Sequence, residues 1–173
     1  MDIIVRKEIK KDSAAISEVN SLAFKRKNEG LLIEKLRMTK EFNPKLSLVA
    51  IYKKRIIGHL LLYPIKMIVG KKRQTILALA PMCVHPDYQR KGIGTKLVRR
   101  GIKRANDLGY KSIIVIGHSD YYPRFGFKEA CRYGITGPFK VPSNVFLALE
   151  LSKGVLKDID GIVEYPKPFY ETL

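Results

Sequence analysis

The chain has 173 residues, with 33 Lys and Arg against 16 Asp and Glu for a net charge of +17, and 46% of its residues are hydrophobic. That length and apolar content suit one domain over 1–173 with a full core, and they exclude disordered, collagen-like and low-complexity chains. Cys83 and Cys131 are too few for a disulfide framework, and residues 1–7 lack the apolar stretch of a signal peptide. The longest apolar run, 76–84, is far short of the ~20 residues that cross a bilayer. The expectation is a reduced, cytoplasmic protein with no membrane partner.

In chain order, residues 3–9 alternate weakly and predict a first strand. Asp12 or Ser13 is placed to N-cap a helix carrying Ala14, Ala15, Ile16, Val19, Leu22 and Ala23. A second short helix is predicted after Gly30, with Leu31, Leu32 and Leu36 on one face. Segments 46–52, 56–68 and 74–84, separated by basic tips at 53–55 and 71–73, predict a three-strand antiparallel meander. A helix over 94–108 puts Leu97, Val98, Gly101, Ile102, Ala105 and Leu108 on one face, with Gly109 as its C-cap. The wholly apolar 113–116 reads as a strand buried on both faces and completes a βαβ unit with a parallel pairing. Later strands are predicted at 127–132, 146–151 and 161–165. The fold class is α/β, an α+β sandwich: a mixed sheet with an antiparallel N-terminal meander, a central parallel βαβ unit and helices on both faces.

The charge is concentrated. Residues 45–111 hold 16 Lys and Arg and two acids, a net +14, and no acid occurs between Glu41 and Asp87. A ligand seated there meets a positive potential and is expected to be an anion. Solvated turn tips and one solvated helix face account for many of these side chains equally well.

The run Gln89-Arg90-Lys91-Gly92-Ile93-Gly94-Thr95 lies between the buried strand and the amphipathic helix. A helix start leaves amides unpaired and carries partial positive charge, and glycines let an anion approach the backbone. Leu97 stands where a dinucleotide fingerprint needs its third glycine, and the run is not a G-x-x-x-x-G-K-S/T phosphate loop. Nucleotide hydrolysis and dinucleotide redox chemistry therefore lose support. A plain strand-to-helix turn remains the competing explanation of these residues.

Residues 82–97, Met82-Cys83-Val84-His85-Pro86-Asp87-Tyr88 followed by the glycine loop, resemble the acetyl-CoA motif of the GNAT N-acetyltransferase superfamily, V-x-P-x-Y/F-Q/R-x-x-G-I/L-G/A. Downstream, Tyr122-Pro123-Arg124-Phe125-Gly126-Phe127 resembles its Y-x-x-x-G-F segment. The resemblance covers roughly 3–151, and the tail from 146 to 165 looks like that of bacterial and archaeal acetyltransferases of unassigned substrate. It implies an acetyl-CoA-dependent N-acetyltransferase without a metal, whose amine acceptor is a small molecule, peptide or protein. It also implies that Gln89, Arg90, Lys91, Gly92, Ile93, Gly94 and Thr95 hold the CoA pyrophosphate. The family's longer helix with an Asn and an Ala before this tyrosine is replaced here by an abrupt His118-Ser119-Asp120, which shortens the fourth helix.

Acetyl transfer to an amine needs a neutral nucleophile, donors for the developing oxyanion and a proton for the leaving thiolate. Pro81 lacks an N–H within a buried strand and predicts a bulge or splay there. In the superfamily the pantetheine arm inserts at such a splay, which implicates the main chain of Met82, Cys83 and Val84, whose side chains pack in the core. The resemblance makes Tyr122 the general acid, with Tyr121 its competitor. No base declares itself; Glu29, Glu34 and His118 are candidates. His59 and His85 read as packed histidines, Cys83 as a small hydrophobe, and no zinc spacing is present. Acceptor walls are expected around 24–36 and 133–144. The alternative is a basic nucleic-acid-binding or ribosome-docking module on the same fold, disfavoured because no aromatic residues are interleaved with the clusters at 53–55 and 71–73. A monomer or homodimer is expected from the frequency of such states.

Overall fold

The computed structural model describes residues 1–172. Its strands are β1 (Ile4–Lys7), β2 (Ser47–Tyr52), β3 (Arg55–Val69), β4 (Lys72–Val84), β5 (Ser112–Ile116), β6 (Lys128–Glu129), β7 (Phe146–Glu150) and β8 (Gly161–Glu164). The helices are α1 (Ser13–Phe24), α2 (Asn28–Arg37), α3 (Ile93–Asp107) and α4 (Lys167–Thr172). The sheet runs in the order β1-β2-β3-β4-β5-β7-β6. β2 is too short to cover the 15-residue β3, and β8 pairs with the uncovered end, Lys66 to Val69.

The period-two alternation of β3 sorts the core into two layers. Leu60 and Leu62 pack with Leu97, Val98 and Ala105 of α3, while Leu61, Tyr63, Ile65 and Met67 pack with Ile16 of α1, Leu32, Ile33 and Leu36 of α2, and Phe169 of α4. The predicted meander and βαβ unit are both present, the latter closed by a parallel pairing of Leu77 with Ile113 and Ala78 with Ile114.

Local readings needed correction where side chains found other partners. Asp12 makes no side-chain cap on α1; its carboxylate takes Arg6 and the Ile9 amide instead. α2 begins at Asn28 and buries Ile33 rather than Leu31, which is exposed. The strand predicted at 127–132 is two residues long, because the chain turns into a 3-10 segment at Ala130–Tyr133. α3 ends at Asp107, and Gly109 follows with φ of 83°.

A buried polar chain ties the first two helices to the sheet. The Arg37 guanidinium grips the Glu8 carboxylate at 3.0 and 3.1 Å, the Ser47 hydroxyl donates to the same carboxylate, and His59 Nε2 lies 2.9 Å from Ser47 Oγ. Asn20 Nδ2 donates to the Ile16 carbonyl and lies 3.4 Å from His59 Nδ1. Burial, followed by the charge of Arg37, lowers the His59 pKa to about 3, so the imidazole is neutral and structural.

Candidate active site

Pro81 does to the sheet what its missing N–H requires. Between the pairs Leu60–Met82 and Leu62–Leu79, one β3 residue faces two on β4, a bulge at Ala80 and Pro81. On the other edge β4 leaves β5 after Ala78, although β4 continues to Val84 and β5 to Ile116. The two strands thus splay: Met82, Cys83 and Val84 stay paired with Leu60, His59 and Gly58 of β3 on one side, and on the side toward β5 this stretch of β4 borders a gap.

A cavity of about 740 Å³ occupies the gap. It is lined by Met82, Cys83, Val84, Gln89, Arg90, Gly92, Ile93, Gly94 and Thr95, nine of the ten residues assigned to the co-substrate from sequence. Lys91 is the exception: its ammonium donates to the Asp87 carbonyl at 2.7 Å and lies over the Tyr88 ring, bracing the loop. Gln89 also braces, donating from Nε2 to the Val84 carbonyl at 3.1 Å.

The loop presents backbone donors. Arg90 and Gly92 take left-handed φ of 59° and 78°, and no side chain caps the start of α3. The first α3 amide to find a partner outside the regular helix interior is Lys96, which donates to the Gly92 carbonyl at 3.0 Å. The amides before it therefore remain for an anion. A Cβ on Gly92 would meet nothing within 4 Å, so its role is conformational and the space beyond it is open.

The two tyrosines separate in space. Tyr121 closes on the helix start: a Cβ at Gly94 would lie 2.7 Å from its hydroxyl. That hydroxyl is buried beside Thr95 without a hydrogen bond of acceptable geometry, and Arg124 covers the ring at 4.7 Å. Tyr122 is only 6% exposed, edge-on to Tyr121 and Phe127, and its ring lies against Gly117 so closely that a Cβ there has no room. Burial, then the neighbouring Tyr121, raises its pKa well above the ordinary phenol value, keeping the hydroxyl protonated.

A second cavity of about 430 Å³ also borders Tyr122, lined by Phe24 of α1, Arg26 of the turn after it, Glu29 and Leu32 of α2, 79–82 of β4, 116–118 at the end of β5, Phe139 and Val141, and Tyr165 and Phe169. The two cavities share Phe24, Met82, His118 and Tyr122. Of the base candidates, His118 stands at this junction and Glu29 is buried in the second cavity, whereas Glu34 is exposed and accepts from the Ser17 hydroxyl. Cys83 is buried with its thiol pushed up to about 12 by desolvation, the state of a packed cysteine. Tyr165 and Phe169 were missed from sequence; only tertiary folding brings the C-terminal residues to this wall.

Among the described residues no helix is long and apolar enough to cross a membrane.

The Acetyltransferase (GNAT) family profile matches residues 15–127. The uncharacterized N-acetyltransferase YjhQ of Escherichia coli K12 is 35% identical over 136 residues, covering 77% of this chain and 74% of that protein. The crystal structure of YhbS from Escherichia coli in complex with CoA superposes with a TM-score of 0.89 at 26% identity, covering 97% of this chain and 92% of that one. A GNAT family acetyltransferase from Brucella melitensis in complex with acetyl-CoA superposes at 0.78 with 29% identity, covering 97% and 98%. The chain belongs to the GNAT acetyltransferase family and is an N-acetyltransferase by that membership.

Proposed function

We propose that the protein moves the acetyl group of acetyl-CoA to a primary amine by direct attack, with Tyr122 as general acid. The observation that carries this reading is the meeting of the two cavities at Tyr122, one lined by the glycine loop and the uncapped start of α3 and the other by mainly apolar walls. CoA and acetyl-CoA in the two structural relatives support the choice of donor.

The uncapped α3 start and Arg90 suit the pyrophosphate. The buried Tyr121 hydroxyl beside Gly94 is a further donor for it. The free edge at Met82, Cys83 and Val84 suits an extended amide-bearing arm and gives backbone N–H groups to the thioester carbonyl as it gains charge. The bound amine loses its ammonium proton to water, the neutral nitrogen then bonds to the carbonyl carbon, and the C–S bond breaks. Tyr122 gives its proton to sulfur, and the proton shed by the new amide restores the phenol. Burial makes Tyr122 fit for this, since the hydroxyl carries its proton throughout the neutral range.

Tyr122→Phe tests the assignment: kcat is expected to fall by about 10²-fold or more while acetyl-CoA affinity is kept. Undiminished kcat in a folded variant overturns it.

A further inference from the structure

We infer that the acceptor is a primary amine carried on an aryl-bearing apolar body, and that the second cavity receives it as a cation through Glu29. The inference rests on the acetyl-transfer reading and concerns its other substrate. Five stretches of chain enclose the cavity, and its walls are mainly hydrocarbon and ring. Phe139 and Tyr165 meet at 5.0 Å between centroids, and Tyr165 and Phe169 at 5.1 Å, an aromatic corner that takes a flat apolar group or the flank of a cation. A volume of about 430 Å³ is that of a small-molecule site.

Glu29 is the one carboxylate in the lining, and it is only 3% exposed. A carboxylate so placed requires a cation. The structure supplies one from the surface: Arg26 Nη2 lies 2.5 Å from Oε1, and Arg26 Nε lies 2.9 and 3.2 Å from the two oxygens. The Arg26 side chain is 52% exposed while that of Glu29 is 4% exposed, so the guanidinium reaches the carboxylate from the solvent side. It stands where an incoming ammonium would stand. Apart from Arg26, no lysine or arginine lines the cavity. With Arg26 displaced, Glu29 leaves the lining negative, and in a protein of +17 such a pocket rejects the anions that the surrounding surface attracts.

The test is a calorimetric titration of the CoA-saturated protein with 2-phenylethylamine, 2-phenylethanol, 3-phenylpropanoate and spermidine, after CoA binding itself has been measured. The amine is expected to bind at least tenfold more tightly than the alcohol, the carboxylate and the polyamine. Glu29→Gln is expected to weaken the amine by about tenfold with CoA affinity unchanged, and Arg26→Ala to leave amine binding equal or tighter. Equal binding of amine and alcohol, a preference for spermidine, or loss of amine binding in Arg26→Ala overturns the inference, the last by making Arg26 a substrate ligand. The wild-type series decides the matter even where Glu29→Gln misfolds. Failure of CoA to bind refutes the acetyl-transfer reading and this one with it; CoA binding without amine selectivity refutes this one alone.

Discussion

Adding one methyl group at Gly117 should disable Tyr122 without touching its hydroxyl. A Cβ there would come within 2.8 Å of Tyr122 Cδ2 and nearer still to Cε2, where ordinary contact begins at 3.4 Å. The backbone has little room to withdraw, because the Gly117 amide donates to the Val145 carbonyl at 2.9 Å. The ring is hemmed by Tyr121 at 5.1 Å and Phe127 at 5.5 Å, so it must slide toward the cavities as a unit. A displacement on the order of 1 Å in a reacting group costs about 10²-fold in rate, and the overpacking costs about 1–3 kcal/mol of stability. Steady-state acetylation of the best acceptor from an amine panel, read by release of the CoA thiol, gives kcat, while calorimetry gives acetyl-CoA affinity and a melting curve gives stability. For Gly117→Ala we expect kcat down about 10²-fold, with acetyl-CoA affinity changed much less. Wild-type kcat in a folded Gly117→Ala protein would show that the position of Tyr122 is immaterial to turnover.

Three further outcomes are expected. Gly92→Val places a β-branched residue at φ of 78° in the loop, and should weaken acetyl-CoA by about tenfold or more by distorting the amides at the start of α3; unchanged affinity would remove the loop from the binding site. Cys83→Ala should retain kcat within about threefold, as a packed cysteine allows, and acetylated protein should not accumulate when acetyl-CoA is added alone; an isolable acetyl-cysteine would replace direct attack with a two-step route. The His59 pKa is about 3 in the fold against 6.5 unperturbed, so the unfolded chain binds more protons below pH 6.5. His59 therefore leaves stability unaffected above that value and weakens it as pH falls toward 3, by about 1.4 kcal/mol per pH unit; a melting temperature for the wild type that falls no faster between pH 7 and pH 4 than that of His59→Gln would refute this.

The elements that were readable in the sequence are those whose pattern is local. α3 and the meander follow from periodicity, and the splay follows from one proline in an apolar strand. The ten residues assigned to the co-substrate form one contiguous neighbourhood because strand, loop and helix start are adjacent in the chain, and only Lys91 turns away to brace the loop. The second cavity draws part of its lining from 24–36 and 133–144, the segments expected from sequence to wall an acceptor site. Its remaining wall, Tyr165 and Phe169, depends on β8 pairing with the far end of β3, a contact between segments about a hundred residues apart that no local pattern encodes. The pairing of Arg26 with Glu29 was equally hidden, since surface and buried carboxylates look alike in a sequence. Asp12 went to Arg6 rather than to the α1 cap for the same reason: a short acid takes the strongest donor within reach, and that donor belonged to β1.

The central claim is that the splayed strand and uncapped helix form the seat of acetyl-CoA, and calorimetric titration at physiological salt tests it most directly. One saturable site for acetyl-CoA is predicted, with ATP and a short DNA duplex binding at least tenfold more weakly and Gly92→Val binding acetyl-CoA about tenfold or more weakly. No saturable binding of acetyl-CoA, with tight binding of the duplex, would contradict it and make the basic surface, rather than the cavity at Tyr122, the working part of the molecule.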